Sequence, residues 1–272
     1  MARKAVRKIT GSEPKRVSIV LDDTRATVTP RDQKIPPVVY QTFSTRLLDY
    51  KHHDAVMAIR QANQDLTFEF FDDTAVQEYM ATRWGADPIY PVFLGSRFPQ
   101  MKSDIFRYCL VFDRGGYYLD INKGITKSLT SFHPVDAEGI ISFESNHTLI
   151  WPPADVLADL NHPDKVVLQW AFGFSPGHPI LERTIRKIVD YSTWVSGKKF
   201  RSVRDGVVGF TGPGAFTTAV WDTYRKGQAT GILDAGIDFD GHGIFRLPGS
   251  TRTPLASVHY TSLSDQHILD LP

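Results

Sequence analysis

Cysteine is nearly absent from the 272-residue sequence: Cys109 is the only one. An intramolecular disulfide framework is therefore excluded, as is any all-cysteine metal site, and a reducing compartment is expected. No stretch approaches 18 consecutive apolar residues, so nothing reads as a bilayer-crossing helix. The early apolar run Val17 to Leu21 is interrupted by Ser18 and is too short for the apolar core of a secretory signal. Excess charge is also missing, since 31 Lys and Arg against 30 Asp and Glu leave a net +1. A non-specific nucleic-acid binder is usually far more basic, so no nucleic-acid partner is expected. What is present is ordinary for a globular chain: 42% hydrophobic and 22% charged residues. A chain of this length buries about three quarters of its unfolded surface and needs no staples.

The charge is unevenly spread. Residues 1–34 hold nine Lys or Arg against four Asp or Glu, a surplus of five. This arm is expected to be solvated and partly disordered. A sharper expectation is weak peripheral attachment to anionic lipid. With no anchor in view, a cytoplasmic protein is expected, peripheral at most at the inner face of a membrane. A single domain is expected over residues 35–272.

Order is expected from Ile35-Pro36-Pro37, with Val38 to Tyr40 a short buried strand. Residues 49–63 have helical spacing, and Leu66 to Phe71 alternates as a strand. Asp72 and Asp73 then cap a helix running to about Trp84. Residues 85–99, with three prolines and two glycines, read as a loop. Met101, Ile105, Tyr108 or Cys109 and Phe112 mark a helix that Gly115-Gly116 ends, and Tyr117 to Leu119 is a strand running into Asp120. Further strands are expected at Gly139 to Phe143 and Leu168 to Phe174, with irregular chain over 144–165. Helices are expected over 179–195 and from Phe216 to Tyr224. Strands alternating with helices predict an α/β fold with a mostly parallel sheet.

Ligands of open α/β sheets bind beyond the carboxyl ends of strands, which is where Asp120-Ile121-Asn122 falls. Alternation sends residues 120 and 122 to one side, and two oxygens so placed suit a hard ion such as Mg²⁺ or Mn²⁺. The signal is weak alone, because Asp-x-(Asp or Asn) recurs at Asp159-Leu160-Asn161 and Asp238-Phe239-Asp240. Asp104 and Arg107 share a helix face, either as an ordinary ion pair or aimed into a cleft to hold a ribose or base. Gly173-Phe174-Ser175-Pro176-Gly177 has the spacing of a nucleophile elbow. Pro176, however, has no N–H to build the oxyanion hole, so a turn is expected. Gly209 to Gly214, ahead of a helix, is read as a turn or as the wall of a ligand pocket. The nine histidines show no metal-ligand spacing.

Met101 to Asp120, read as a block of twenty consecutive residues, resembles the central signature of the DXD-containing sugar transferases of glycosyltransferase family 32. Those relatives include Och1-type mannosyltransferases and α-1,4-glycosyltransferases. Ile35 to Thr42 resembles the family's first strand, and Phe172 to Pro179 and Val208 to Val220 resemble its later segments. The resemblance implies a GT-A fold and a retaining transfer from a UDP- or GDP-linked sugar to a glycan or lipid-linked saccharide, in surface polysaccharide synthesis. It implies that Tyr40, Gln41, Thr42, Asp104, Arg107, Tyr118 and Asp120 contact the donor. Asp120 and Arg107 would act in catalysis, and Asp120, Asn122 and His259 would hold Mn²⁺ or Mg²⁺. Two positions depart from the family pattern: Tyr40 stands where a His is usual, and Asn122 replaces the second Asp of DXD. A bacterial source is expected from the missing anchor. The alternatives are a nucleotide-sugar hydrolase or nucleotidyltransferase, and a nucleotide-sugar-binding module without turnover.

Overall fold

The computed structural model describes residues 18–147, 154, 161–250 and 259–271. Residues 1–17 of the basic arm, and Asp159 with Leu160 of one Asp-x-Asn triplet, lie outside them. Order begins earlier than Ile35. Ser18–Val20 forms β1, antiparallel to β3 (Leu47–Asp49), Leu21 is fully buried, and Thr24 exchanges backbone hydrogen bonds with Phe68. Residues 18–34 are therefore not part of a disordered arm. Leu21 enters the core, and the backbone of Thr24, Thr27 and Val28 bonds to Phe68 and Gln64.

The next elements follow the local signals. After Pro36-Pro37 comes β2 (Val38–Thr42), then α1 (Tyr50–Gln61), whose N-cap Asp49 accepts the Lys51 N–H. β4 (Thr67–Phe71) leads into α2 (Asp73–Trp84), capped by the Asp72 side chain on the Ala75 N–H. The expected loop over 85–99 contains a helix, α3 (Ile89–Gly95). Its prolines sit at the N-cap and in the first turn, where no N–H is needed, and Ile89, Val92 and Phe93 face the core.

α4 (Pro99–Arg114) is the long helix that the apolar spacing predicts. It ends at Gly115 (φ 65°) and Gly116 (φ 106°), where the chain reverses into β5 (Gly116–Leu119). No side chain fits here. A Cβ on Gly115 would meet the Pro176 and Pro36 rings at 2.7 and 2.8 Å, and one on Gly116 would meet the Val38 carbonyl oxygen at 2.6 Å.

β6 (Lys123–Ile125) precedes β7 (Gly139–His147), which is longer than expected. Of the expected strand over 168–174 only β9 (Ala171–Phe174) forms, and a separate short strand, β8 (Lys165–Val167), precedes it. α5 (Pro179–Val195) follows, then β10 (Lys199–Phe200), α6 (Val203–Phe210) and α7 (Pro213–Arg225). β11 (Ile232–Ile237), β12 (Gly243–Arg246) and β13 (Gln266–His267) complete the order.

The main sheet has seven strands in the order β11-β7-β9-β5-β2-β4, with β8 also on β7. β4, β2, β5, β7 and β11 run one way, and β8 and β9 run against them. One face packs on the helices through Tyr40, Tyr118, Ile141 and Phe172 against Ile105, Tyr108, Ile185 and Phe216. The other face, with Val39, Phe68, Tyr117 and Ile140, is covered by Ile35, Ile59, Leu129 and Phe132. This is the α/β fold with a mostly parallel sheet that the sequence predicts.

Candidate active site

Four of the expected residues meet at the carboxyl end of β5. Strand alternation turns Tyr118 and Asp120 toward α4, whose inner face presents Asp104, Arg107 and Tyr108. The Arg107 guanidinium lies 3.3 Å from Asp104 Oδ1 and 3.3 Å from Asp120 Oδ1. It also donates to the Gln169 carbonyl at 3.1 Å and lies 4.4 Å from the centroid of the Tyr118 ring. The chain between β8 and β9 leaves the sheet at this point. Around residues 168–170, the Gln169 carbonyl serves Arg107 and the Trp170 carbonyl accepts the Asp120 N–H.

Asp104 is 6% exposed, and its second oxygen accepts the Thr211 hydroxyl at 3.0 Å. Thr211 caps α6, and its carbonyl accepts from Tyr108 and Gln169. Burial pushes the Asp104 carboxyl up to about 6, against the opposing pull of Arg107, Thr211 and Gln169. Burial alone would lower Arg107, but Tyr118, Asp120 and Asp104 outweigh it and hold the guanidinium charged. Burial raises the Tyr118 and Tyr108 hydroxyls well above their ordinary value, so both stay neutral. The Asp120 side chain, 28% exposed, is the cluster's open end.

With both carboxylates ionised, the cluster carries two negative charges and one positive charge. A diphosphate approaching it meets net negative charge unless a cation comes too. Asn122 bears on this. Its Oδ1 is buried and has no hydrogen-bond partner among the described residues, and an orphaned oxygen of this kind is costly unless something completes it. One carboxylate and one amide oxygen are a hard-cation donor pair. Among the described residues no group of three His, Cys, Asp or Glu gathers as a metal site. A bound diphosphate and water would supply further ligands to an ion held here.

The other expected residues are not brought to this cluster. Tyr40 is buried on the helix-side face, with the Arg114 guanidinium 5.3 Å from its ring centroid. Ten residues of helix, about 15 Å, separate Arg114 from Asp104, so Tyr40 faces the far end. Gln41 accepts from Arg60 at 3.0 Å on the opposite face, and the Thr42 hydroxyl donates to the Phe71 carbonyl at 2.8 Å. Both sit at the correct sheet edge, but structural bonds occupy their side chains. His259 is exposed and spends Nδ1 on Thr261, capping the short turn Tyr260–Ser262. Its neighbour Tyr260, rather than His259 itself, packs on Phe98 and feels the Asp104 charge.

Asp238-Phe239-Asp240 lies in a turn after β11, with Phe239 in the core, and does not join the cluster. The sequence reading missed Gln169, although it is the one polar side chain from Val166 to Phe174 apart from the Trp170 indole. It left Thr211 as either turn or pocket wall, and the structure makes it a partner of Asp104.

No family model matches the chain. It is 27% identical over 227 residues to an initiation-specific alpha-1,6-mannosyltransferase of Schizosaccharomyces pombe, covering 75% of this chain and 52% of that protein. It is 24% identical over 196 residues to an inositol phosphoceramide mannosyltransferase of the same yeast, covering 71% of this chain and 46% of that one. The chain thus spans about half the length of these curated relatives. A solved structure, the PaToxG glycosyltransferase, superposes with a TM-score of 0.50 at 15% identity over 70% of each chain. The fold is therefore shared with a glycosyltransferase, and the relatives named are fungal.

Proposed function

We propose that the chain is a glycosyltransferase that moves a hexose, with mannose as the leading candidate, from a nucleotide-sugar to a glycan or lipid-linked saccharide. The observation that carries this reading is the Asp104–Arg107–Asp120 cluster, buried at its helix end and open at Asp120, where an α/β sheet holds its ligands. The mannosyltransferase names of the relatives support the sugar. Retention of configuration rests on the family resemblance.

In this reading Asp104 and Arg107 hold the donor's ribose and sugar hydroxyls. Arg107, kept charged by its neighbours, faces the departing diphosphate. Tyr118 and Gln169 fix the guanidinium plane, so its direction is set before the donor arrives. Asp120 and Asn122 would hold the divalent ion, Mn²⁺ or Mg²⁺. When bound, the ion supplies neutralising charge at the leaving phosphate. The test is transfer with UDP- and GDP-sugars, with products separated by mass spectrometry. The unaltered chain should form a glycoside, and Asp120→Ala should lower the rate at least about a hundredfold, by roughly 3 kcal/mol, with its melting temperature kept. Free sugar as the only product would favour a hydrolase, and full activity of the variant would remove Asp120 from the site.

Asn122 gives a second reading some support. A carboxylate lost from the metal pair weakens cation binding, and a nucleotide-sugar-binding module without turnover would bind a diphosphate equally well in EDTA.

A further inference from the structure

The carboxyl end of α5 exposes two large aromatic side chains, Tyr191 at 57% and Trp194 at 60%. Directly after them come Lys198, Lys199, Arg201 and Arg204, and no Asp or Glu occurs from residue 191 to 204. Lys198, Lys199 and Arg201 are exposed and make no ion pair among the described residues, while Arg204 lies 3.9 Å from Asp205. The Lys198 ammonium sits 3.1 Å from the Trp194 ring centroid. An amphipathic ring beside exposed ammonium groups is the composition of a surface that lies at lipid headgroups.

Position adds to composition. β9 runs against β5, so α5 starts beneath the far end of the sheet, where His178 packs on Phe174. It then climbs to the edge that carries Asp120. There the strip 268–271 ties α5 to α3 and to the start of α4. Gly197 donates to the Leu269 carbonyl, Asp270 to Gly95, and Arg97 to Ile268. Leu94, 51% exposed, stands on the α3 side of this seam.

We propose that Tyr191, Trp194 and the basic segment 198–204 form a docking face for an anionic lipid bilayer. The segment 198–204 carries two lysines, two arginines and no carboxylate, a charge complementary to anionic headgroups. Each basic side chain adds attraction to anionic headgroups, and the rings add insertion at the boundary. A docked chain would present the Asp120 edge toward the lipid surface. This surface does not depend on the transferase reading.

The test is flotation of the full chain with vesicles of phosphatidylcholine alone, or with added phosphatidylglycerol, at low and high salt. Binding should require phosphatidylglycerol and weaken with salt. Trp194→Ser combined with Lys198→Glu and Lys199→Glu should weaken it at least about tenfold while the melting temperature holds. Trp194→Ser alone, at an exposed position, should weaken it by a smaller factor. Asp120→Ala should float like the unaltered chain, so failure of this face and failure of the transferase site are separable. No binding to any vesicle would overturn the proposal. So would equal binding by the triple variant, which would place the attachment on the basic arm.

Discussion

Arg107 stands between two carboxylates, a ring and the Gln169 carbonyl, supplied by its own helix, by the end of β5 and by the chain before β9. A lysine could not serve them together, because its ammonium is a point charge without the planar fork. Asp104 is the more telling partner, because it holds its proton more tightly in the folded chain, about 6 against 3.8. Between those values the folded chain binds more protons than the unfolded one, so this group's contribution to stability falls as pH rises from about 4 to about 6. Asp104→Asn removes that contribution. Melting curves across the window should show the unaltered chain losing stability relative to the variant as pH rises, and parallel curves would contradict the burial argument. Asp104, Arg107 and Asp120 were legible in the sequence because one contiguous helix–turn–strand segment carries all three. Tyr40, Gln41 and Thr42 were placed by resemblance, which marks a strand but not what each side chain bonds. Arg60 and Phe71, which take up Gln41 and Thr42, are 19 and 29 residues away in sequence.

Elements with local signals were the ones the sequence predicted well. The Asp72 cap, Pro179 in a first turn, and Gly115 at a helix end each bound an element with no tertiary help. α6 was not expected, and Gly209 near its end was read as the start of a turn. Gly206 is small for packing, since a Cβ there would lie 2.8 Å from the Phe200 ring. The turn after β11 was equally illegible: Asp238, Phe239 and Asp240 all take positive φ, 50°, 52° and 56°. Ser142 holds this left-handed stretch by donating to the Gly236 carbonyl and accepting the Phe239 N–H, while Phe239 fills the core. Left-handed backbone costs a non-glycine residue roughly 1–2 kcal/mol, and glycine's own entropy cost is about 0.5–1 kcal/mol. Asp240→Gly, at an exposed position, should therefore stabilise the chain by roughly 0.5–1 kcal/mol in urea denaturation. Destabilisation would show that the Asp240 carboxylate has a role the backbone argument omits.

At the scale of the molecule, the sheet's strand directions create the site. The reversal at β9 places Gln169 beside α4 and returns α5 to the Asp120 edge, and the α6–α7 junction then brings Thr211 against Asp104. Alternating strands and helices announced the class of fold, but not this closure. Thr211 lies 107 residues from Asp104, and no periodicity spans that distance. Residues 18–34 were misjudged for the same reason, because their partners Leu47–Asp49 and Phe68 come later in the chain.

We propose that the Asp104–Arg107–Asp120 cluster, with Asn122, receives a nucleoside diphosphate together with a divalent cation. The most direct measurement is a thermal-shift panel of UDP, GDP, CMP and dTDP, each with Mn²⁺, Mg²⁺ or EDTA, on the unaltered chain and on Asp120→Ala. A ligand at a hundred times its dissociation constant adds about 2.7 kcal/mol of stability. The melting temperature should rise with UDP or GDP only when the metal is present, and the rise should vanish in Asp120→Ala. A rise that persists in EDTA or in the variant would contradict the metal-assisted site, and no rise with any nucleotide would contradict the claim itself.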